Sequence, residues 1–512
     1  MSSILTNNSA MVALQTLKSI NNDLSKTQSM ISTGKDVASA KDNSAVWAIS
    51  KVMESDVKGF KAISESLSLG ESSVAVARNG AETVTDLLNN MKEKIVAAQG
   101  ENVDRTKLQS DVKAISDQIA SVVGAAQFNG LNMLSGTQSV NILSSLDRSS
   151  DGTVAPSNIT VDRQDLSTDA GVYGTGATLA DNVTTTLGGN LAADGTGDAF
   201  SNGANILEAT VAGTIVAGQT YNFQIAGETV SFTTTTTATD DLAAGLTAAI
   251  NAAGIEDITA DVTASVISIS STSKFDDVEV NTSGNGAATF ALQANGVTAA
   301  AATTNTQTIN ARASELAFST TAGVSEGDSY RASIGGVSYD YIAGPNETFE
   351  DVARGLKTVI DGAGIENIST RVTQDEATGA WILQIDNDGA AQTLTDDGAA
   401  GGTATGGLVG LDKLDVTTDE GVAAALANIE TYIDTTIDAA ASFGSSQGRI
   451  ETQSDFISKL TDSLRSGIGA LVDADMEETS ARLQALQVQQ QLGVQSLSIA
   501  NQAPQTILSL FR

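Results

Sequence analysis

The sequence predicts an α-helical coiled-coil rod formed jointly by the N- and C-terminal regions, with β-rich α+β domains inserted in the middle. Three observations carry this expectation. Heptad-spaced apolar residues fill both ends of the 512-residue chain. The stretch between them is rich in Gly, Thr and Ala and poor in helical periodicity. Within that stretch the sequence repeats itself once.

The first rod segment can be followed position by position. Val46, Ile49, Met53, Phe60, Ile63, Leu67, Val74, Val84, Leu88, Met91 and Ile95 keep one 3-4 register, interrupted chiefly at Asp56 and Gly70. This is about seven heptads, well beyond the three or four that identify a coiled coil. After Gly100 a second run follows in Leu108, Val112, Ile115, Ile119 and Val122, and Gln127-Phe128-Asn129-Gly130 marks a turn. The two helices are expected to fold back as an antiparallel pair.

At the far end Val422, Leu426, Ile429, Ile433 and Ile437 form a third stripe, and Ile450, Ile457, Leu460, Leu464 and Leu471 a fourth. The rod domain is therefore drawn as residues 35–150 plus 412–471. Outside it lie the terminal segments, 1–34 and 472–512. Leu17, Leu24 and Ile31 recur every seven residues, with Leu14 beside them. Leu483, Leu486, Val494 and Leu497 form a seam before Pro504, and Leu508 and Leu510 follow. An amphipathic helix is marginal in water without tertiary packing. Burying each Leu or Ile is worth roughly 1.5–3 kcal/mol, so these ends are expected to be loose in a monomer and helical in an assembly.

The insert, residues 151–411, contains a duplication. Gly218-Gln219-Thr220-Tyr221 through Ile225-Ala226-Gly227 matches Gly327-Asp328-Ser329-Tyr330 through Ile334-Gly335-Gly336; Gly245-Leu246 and Ala253-Gly254-Ile255-Glu256 match Gly355-Leu356 and Ala363-Gly364-Ile365-Glu366. Each copy, about 205–285 and 312–392, reads as two strands, a helix and two strands. Tyr221, Phe223 and Ile225 alternate, turn near Gly227 and return through Val230 and Phe232. Leu242, Leu246 and Ile250 recur at spacing four before Gly254, a C-cap signal. Val352, Leu356 and Ile360 repeat this before Gly364. Val266, Ile267 and Ile269, then Trp381-Ile382-Leu383 with Ile385, supply the closing strands. Residues 154–205 and 284–310 fall to Gly, Ala, Asn and Thr and read as linker or irregular loop. Asp386-Asn387-Asp388-Gly389 resembles the start of an EF-hand loop, but its twelfth position is Asp397 rather than Glu.

Composition excludes several function classes. Cysteine and histidine are both absent, which removes disulfide frames, thiolate sites, and the commonest general base and metal ligand. Ser-His-Asp, Cys-His and HExxH chemistry are out of reach, and neither a cofactor nor enzyme activity is expected. Only carboxylate chemistry remains formally open, since a glycosidase needs just two acids roughly 5–9 Å apart. The opening Met-Ser-Ser-Ile-Leu-Thr-Asn-Asn lacks a basic and an apolar signal region. No apolar run reaches the length of a membrane span. Of the net charge of −34, residues 1–150 carry −1, residues 416–512 carry −7 and the middle carries −26. Such a surface repels nucleic acid and anionic lipid.

These residues carry a family resemblance. Ile31-Ser32-Thr33-Gly34, Ala40-Lys41-Asp42-Asn43-Ser44-Ala45 and Gln127-Phe128-Asn129-Gly130 with Leu134 resemble the N-terminal region of bacterial flagellins. Asp473-Ala474-Asp475, Gln489-Gln490-Gln491, Ala500-Asn501-Gln502, Pro504-Gln505, Leu508-Ser509-Leu510 and Arg512 are similar to the flagellin C-terminus. The resemblance implies a subunit that polymerises into the flagellar filament for swimming, with terminal helices innermost, a rod layer around them and modules outside. It also implies secretion through the flagellum's own type III apparatus, an export chaperone on the C-terminal helices, and contacts with hook-associated junction and cap proteins. The hook-filament junction protein, which shares both terminal helices, is the alternative. A chain lacking residues 151–411 is expected still to form filaments. One departure stands in the segment that the animal flagellin receptor reads in some members. Asn90 replaces an arginine and Lys94 a leucine, implying weak or absent activation.

Overall fold

The computed structural model describes residues 7–148, 153–179, 182–186, 200, 202–283, 287–294 and 297–509, with side chains in the last helix as far as Gln502. Seven α-helices are present among them. They are α1 (Asn8–Thr33), α2 (Ser44–Ala98), α3 (Arg105–Ala125), α4 (Thr239–Ala253), α5 (Phe349–Gly362), α6 (Asp419–Val472) and α7 (Met476–Ser509). Their starts follow from short polar side chains that accept free N–H groups of the first turn. Asn7 caps α1, Asn43 caps α2, Asp104 caps α3 and Asp475 caps α7. Helix α1 ends where Gly34 turns left-handed at φ 69° and its N–H returns to Met30 O.

The chain divides into two compact units. The first contains residues 1–72, 141–160 and 446–512, the second residues 73–140 and 161–445. In the first, α1 and α7 run antiparallel: Asn7 Nδ2 donates to Ala500 O at 2.9 Å, Gln490 Nε2 donates to Asn21 Oδ1 at 2.7 Å, and Ala474 N–H donates to Gly34 O at 3.0 Å. Strands β3 (Val140–Arg148) and β4 (Val154–Val161) pair as a hairpin. Ile142 and Leu146 of β3 lie against Gly70 and Gly59 of α2.

Helix α2 passes through Asp56 and Gly70 without a break. A Cβ on Gly70 would stand 2.6 Å from Ile142 Cδ1, so this glycine admits the hairpin. It does not interrupt the seam. The buried or half-buried face reads Val46, Ser50, Met53, Val57, Phe60, Ile63, Leu67, Gly70, Val74, Ala77, Ala81, Val84, Leu88, Met91, Ile95 and Ala98. Ile49, expected in that seam, is 54% exposed because Ser50 takes the inward place.

In the second unit, α3 folds back along α2. Arg105 Nε donates to Ala98 O, while Gly80 faces Ala126 and Leu134 at the other end. The buried face of α3 is Val112, Ser116, Ile119 and Val123, with Ile115 half-buried on its flank. Strands β1 (Gln127–Phe128) and β2 (Leu131–Asn132) close around Asn129 and Gly130, both at positive φ, as a two-residue hairpin requires. Helix α6 joins the third and fourth stripes into one element. Thr436 and Glu430 on it meet Thr85 and Lys92 of α2. Ile437 (48%) and Leu471 (43%) are exposed. The inward places go to Tyr432, Ile433, Thr436 and Ala439, and to Val472.

The duplicated region follows, built from strands β5 (Val183–Thr186), β6 (Asn205–Thr214), β7 (Thr220–Ile225), β8 (Glu228–Thr233), β9 (Ile258–Thr263), β10 (Val266–Ser271), β11 (Val278–Ser283), β12 (Ala287–Ala294), β13 (Val297–Thr298) and β14 (Thr304–Ile309). The second copy uses β15 (Ser314–Phe318), β16 (Ser329–Ile334), β17 (Val337–Ile342), β18 (Ile368–Gln374), β19 (Trp381–Asn387) and β20 (Leu394–Ala399). In both copies the hairpin before the helix and the hairpin after it lie in different sheets, with the helix between them. A strand before the first hairpin (β6, β15) joins the later one, and a strand after the second (β11, β20) joins the earlier one. The repeat unit is thus β-ββαββ-β, and the second copy extends to Ala399.

The stretches read as linker therefore contain paired strands: β4 and β5 in one, β12, β13 and β14 in the other. Strand β12 turns Ala288, Phe290, Leu292 and Ala294 inward, all 0–2% exposed. Its small residues and Thr-rich neighbours mask a period-two pattern that one Phe and one Leu anchor.

Candidate assembly surface on the terminal helices

Helix α1 turns Ala10, Ala13, Leu17, Ile20, Leu24, Thr27 and Ile31 inward, and α7 answers with Thr479, Leu483, Leu486, Gln490, Gly493, Leu497 and Ala500. Both sets advance by alternate steps of three and four, the spacing of an antiparallel coiled-coil seam. Leu486 is 7% exposed. Gly493 lets Leu17 approach closely, since a Cβ there would lie 3.2 Å from Leu17 Cδ1.

Pairing leaves a second apolar surface uncovered. On the side of α7 away from α1, Val488, Leu492 and Ile499 are 56%, 57% and 69% exposed, in line with Ala481 and Ala485. Val494 flanks that stripe, and Met11, Val12 and Leu14 are likewise exposed on α1. A charged outer face ordinarily balances a buried seam. Here the sequence from Leu483 through Ser509 contains no charged residue. A helix apolar on two opposite faces is built to be covered twice.

Of the residues expected to form the polymerising seam, Leu17, Leu24, Ile31, Leu483, Leu486 and Leu497 meet within one chain, while Leu14 and Val494 stay open. The Leu508 side chain and Leu510 lie outside the described residues. Sequence reasoning passed over Val488, Leu492 and Ile499; their steps of four and seven were a readable signal. Among the rod residues Ile63, Leu88 and Ile95 are fully buried, and Val46, Met53, Phe60, Ile115, Leu460 and Leu464 are half-buried. Asn90 is exposed and Lys94 half-buried on α2.

The Asp386–Gly389 segment serves protein cations. Arg312 donates to both oxygens of Asp386 at 2.8 Å and to Asp388 at 2.6 Å, and Lys274 Nζ lies 2.6 Å from Asp388. Among the described residues no group of three or more Asp or Glu could hold a metal ion, and no helix is long and apolar enough to cross a membrane.

Residues 4–139 match the family described as the bacterial flagellin N-terminal helical region, and residues 426–511 match the bacterial flagellin C-terminal helical region. The chain is 31% identical to flagellin A of Rhizobium meliloti over 522 residues, covering all of both chains. It belongs to the bacterial flagellins. This flagellin is therefore a structural subunit of the flagellar filament. It is also 31% identical to flagellin B of Rhizobium meliloti over the full length of both chains. Its likeness to flagellin FljM of Caulobacter vibrioides is 40% over 140 residues, 27% of this chain and 51% of that one. Among solved structures, the flagellin is similar to hook-associated protein 3 of Legionella pneumophila at 10% identity and TM-score 0.31, covering 82% of this chain and 98% of that one. FlgL of Xanthomonas campestris matches at 11% identity and TM-score 0.28, covering 81% and 98%.

Proposed function

We propose that this flagellin polymerises by burying the far side of α7, with the neighbouring face of α1, against other copies of the same helices. The observation that supports the reading is the uncharged, apolar outer stripe of Val488, Leu492 and Ile499. Each such side chain is worth roughly 1.5–3 kcal/mol when covered. Identical patches meeting head to tail without closing generate an open helix. In this reading the chain leaves the cell unfolded through the flagellar export apparatus, held by a chaperone on its C-terminal helices. It orders those helices at the growing tip. Junction and cap proteins meet the ends of the polymer, and the acidic duplicated modules lie outermost without catalytic work.

The test is seeded polymerisation followed by light scattering and electron microscopy. Leu492→Glu is expected to keep the monomer's helical circular dichroism and to abolish elongation. Val337→Glu, at an exposed hairpin tip in the second copy, is expected to elongate normally. Elongation of the Leu492→Glu chain at the unmodified rate would sink the assignment of this face.

A further inference from the structure

Helices α5 and α6 meet at a buried polar cluster inside the second unit. Lys357 Nζ donates to Asn428 Oδ1 at 2.7 Å and to Asp361 Oδ2 at 2.6 Å. Asn428 Nδ2 donates to the same Asp361 oxygen at 3.1 Å. An ammonium group only donates and a carboxylate only accepts, so one orientation of the amide satisfies both neighbours. Thr370 of β18 donates to Asp361 Oδ1 at 2.5 Å and fixes the far side of the carboxyl group.

Lys357 and Asp361 stand one turn apart on one face of α5. Asn428 reaches them from α6, 71 residues after the lysine. All three side chains are more than nine-tenths buried. One turn past Asn428, Tyr432 donates to Val409 O at 2.7 Å. A Cβ on the adjoining Gly410 would stand 3.1 Å from Thr358 O and 3.2 Å from Tyr432 Oη, so this segment lies across both helices. An ion pair alone needs only the lysine and the aspartate. The asparagine adds an electrophile: its Cγ is bonded to the oxygen that the amine touches, and its nitrogen touches the carboxyl group able to protonate it. Holding reacting groups together in this way replaces a bimolecular encounter.

We propose that Lys357 and Asn428 condense in the folded chain to an intramolecular amide, with Asp361 carrying the protons. Asp361 takes one proton from the ammonium group, and the neutral amine is the nucleophile. Nζ attacks Cγ of Asn428 and the Nζ–Cγ bond forms. Asp361 passes its proton to Nδ2, the Cγ–Nδ2 bond breaks and ammonia leaves. Nζ then gives its second proton to Asp361, which ends as a neutral acid beside the new amide. No oxidant or co-reactant is consumed, and each chain reacts once. The three residues meet only in the folded chain, so an unfolded chain carries no such link. The product ties the second copy of the repeat covalently to α6.

Mass spectrometry of the purified full chain tests this. The denatured protein is expected to weigh one ammonia less than its sequence. Trypsin is expected to leave the chain uncut after Lys357, and the digest to contain a branched peptide joining Lys357 to Asn428. Asp361→Asn keeps the side chain's size but carries no proton between the nitrogens. Asn428→Ala removes the electrophile. Each is expected to show the full mass of its own sequence and cleavage after Lys357, with the parent's helical circular dichroism. If neither variant folds, the mass and digest of the parent decide alone. A folded parent of full sequence mass would overturn the amide. So would an ammonia loss that maps to a succinimide at an Asn-Gly pair such as Asn129-Gly130, with trypsin still cutting after Lys357. A branched peptide persisting in Asp361→Asn would overturn the role of Asp361.

Discussion

Two glycines show how far the duplication reaches. In the first copy a Cβ on Gly245 of α4 would stand 2.2 Å from the Phe232 ring; in the second, a Cβ on Gly355 of α5 would stand 2.2 Å from the Tyr341 ring. The pairs occupy matching places, an aromatic on the second hairpin strand set against the helix glycine. The Tyr341 ring is buried in its core and the half-buried Phe232 ring packs against its own, so Gly245→Ala or Gly355→Ala is expected to lower stability by about 1–3 kcal/mol through overpacking. Gly444 and Gly448 of α6 are the contrast, since a Cβ there meets nothing within 4 Å. Alanine at either is expected to add about 0.5–1 kcal/mol through helix propensity. Urea unfolding of the four variants checks both signs, and a neutral Gly355→Ala would show that the ring yields. The matched glycines were visible in the sequence, but their reason was not, because a glycine's role lies in what a neighbour does with the space. The same limit hid Ser50, Ala77 and Ala81 from the α2 seam: small residues complete a heptad without announcing it.

At the scale of elements, the two copies are clasped at the turn between β10 and β11. Arg312, in the link before β15, receives Asp386 and Asp388 from the end of β19, and its N–H donates to Ser273 O at 3.0 Å. Arg371 of β18 adds a bond to Asp276 and another to Phe275 O. The charges differ in weight. Arg312 is 7% exposed and Asp386 fully buried, whereas Arg371 and Asp276 face solvent. Arg312→Ala strands a buried carboxylate and is expected to cost about 3–5 kcal/mol. Asp276→Ala is expected to cost under about 1 kcal/mol. Hydrogen exchange over Ser271–Asp277 should rise sharply in the first variant alone; equal protection in both would place the clasp in the backbone bonds. That Asp386 and Asp388 open an EF-hand-like run lacking the Glu that would close it on a cation was legible. That the cation is a guanidinium from 74 residues earlier was not, because the fold alone brings it there. Strands β12–β14 were missed for a related reason. Ala and Thr carry weak periodicity, and pairing with β6, β11 and each other determines their conformation.

For the whole chain, the long helices at both ends were readable because apolar side chains recur over many heptads and errors average out. The limits of the insert were not, because they depend on where two distant strands meet. Drawn at 151 and 411, the insert takes β4 away from β3 and removes Ile159, Val161, Leu166, Leu408 and Leu411, all at most 8% exposed. It also removes the strap whose Gln164 and Leu166 N–H groups donate to Met133 and Leu134 carbonyls at 3.0 Å. The structure offers a better boundary at Val172 and Thr403. Their backbones exchange both hydrogen bonds, at 3.0 and 2.9 Å, so the outgoing and returning chains are neighbours there. An Asn-Gly turn can replace residues 173–402 with little strain. That shortened chain is expected to unfold cooperatively and to elongate filament seeds. The chain lacking 151–411 is expected to melt earlier and broadly, since several buried side chains lose their cover. Thermal circular dichroism and seeded elongation, run side by side, separate the cases. Failure of the 173–402 deletion to elongate, with its helices intact, would mean that the duplicated modules themselves take part in assembly.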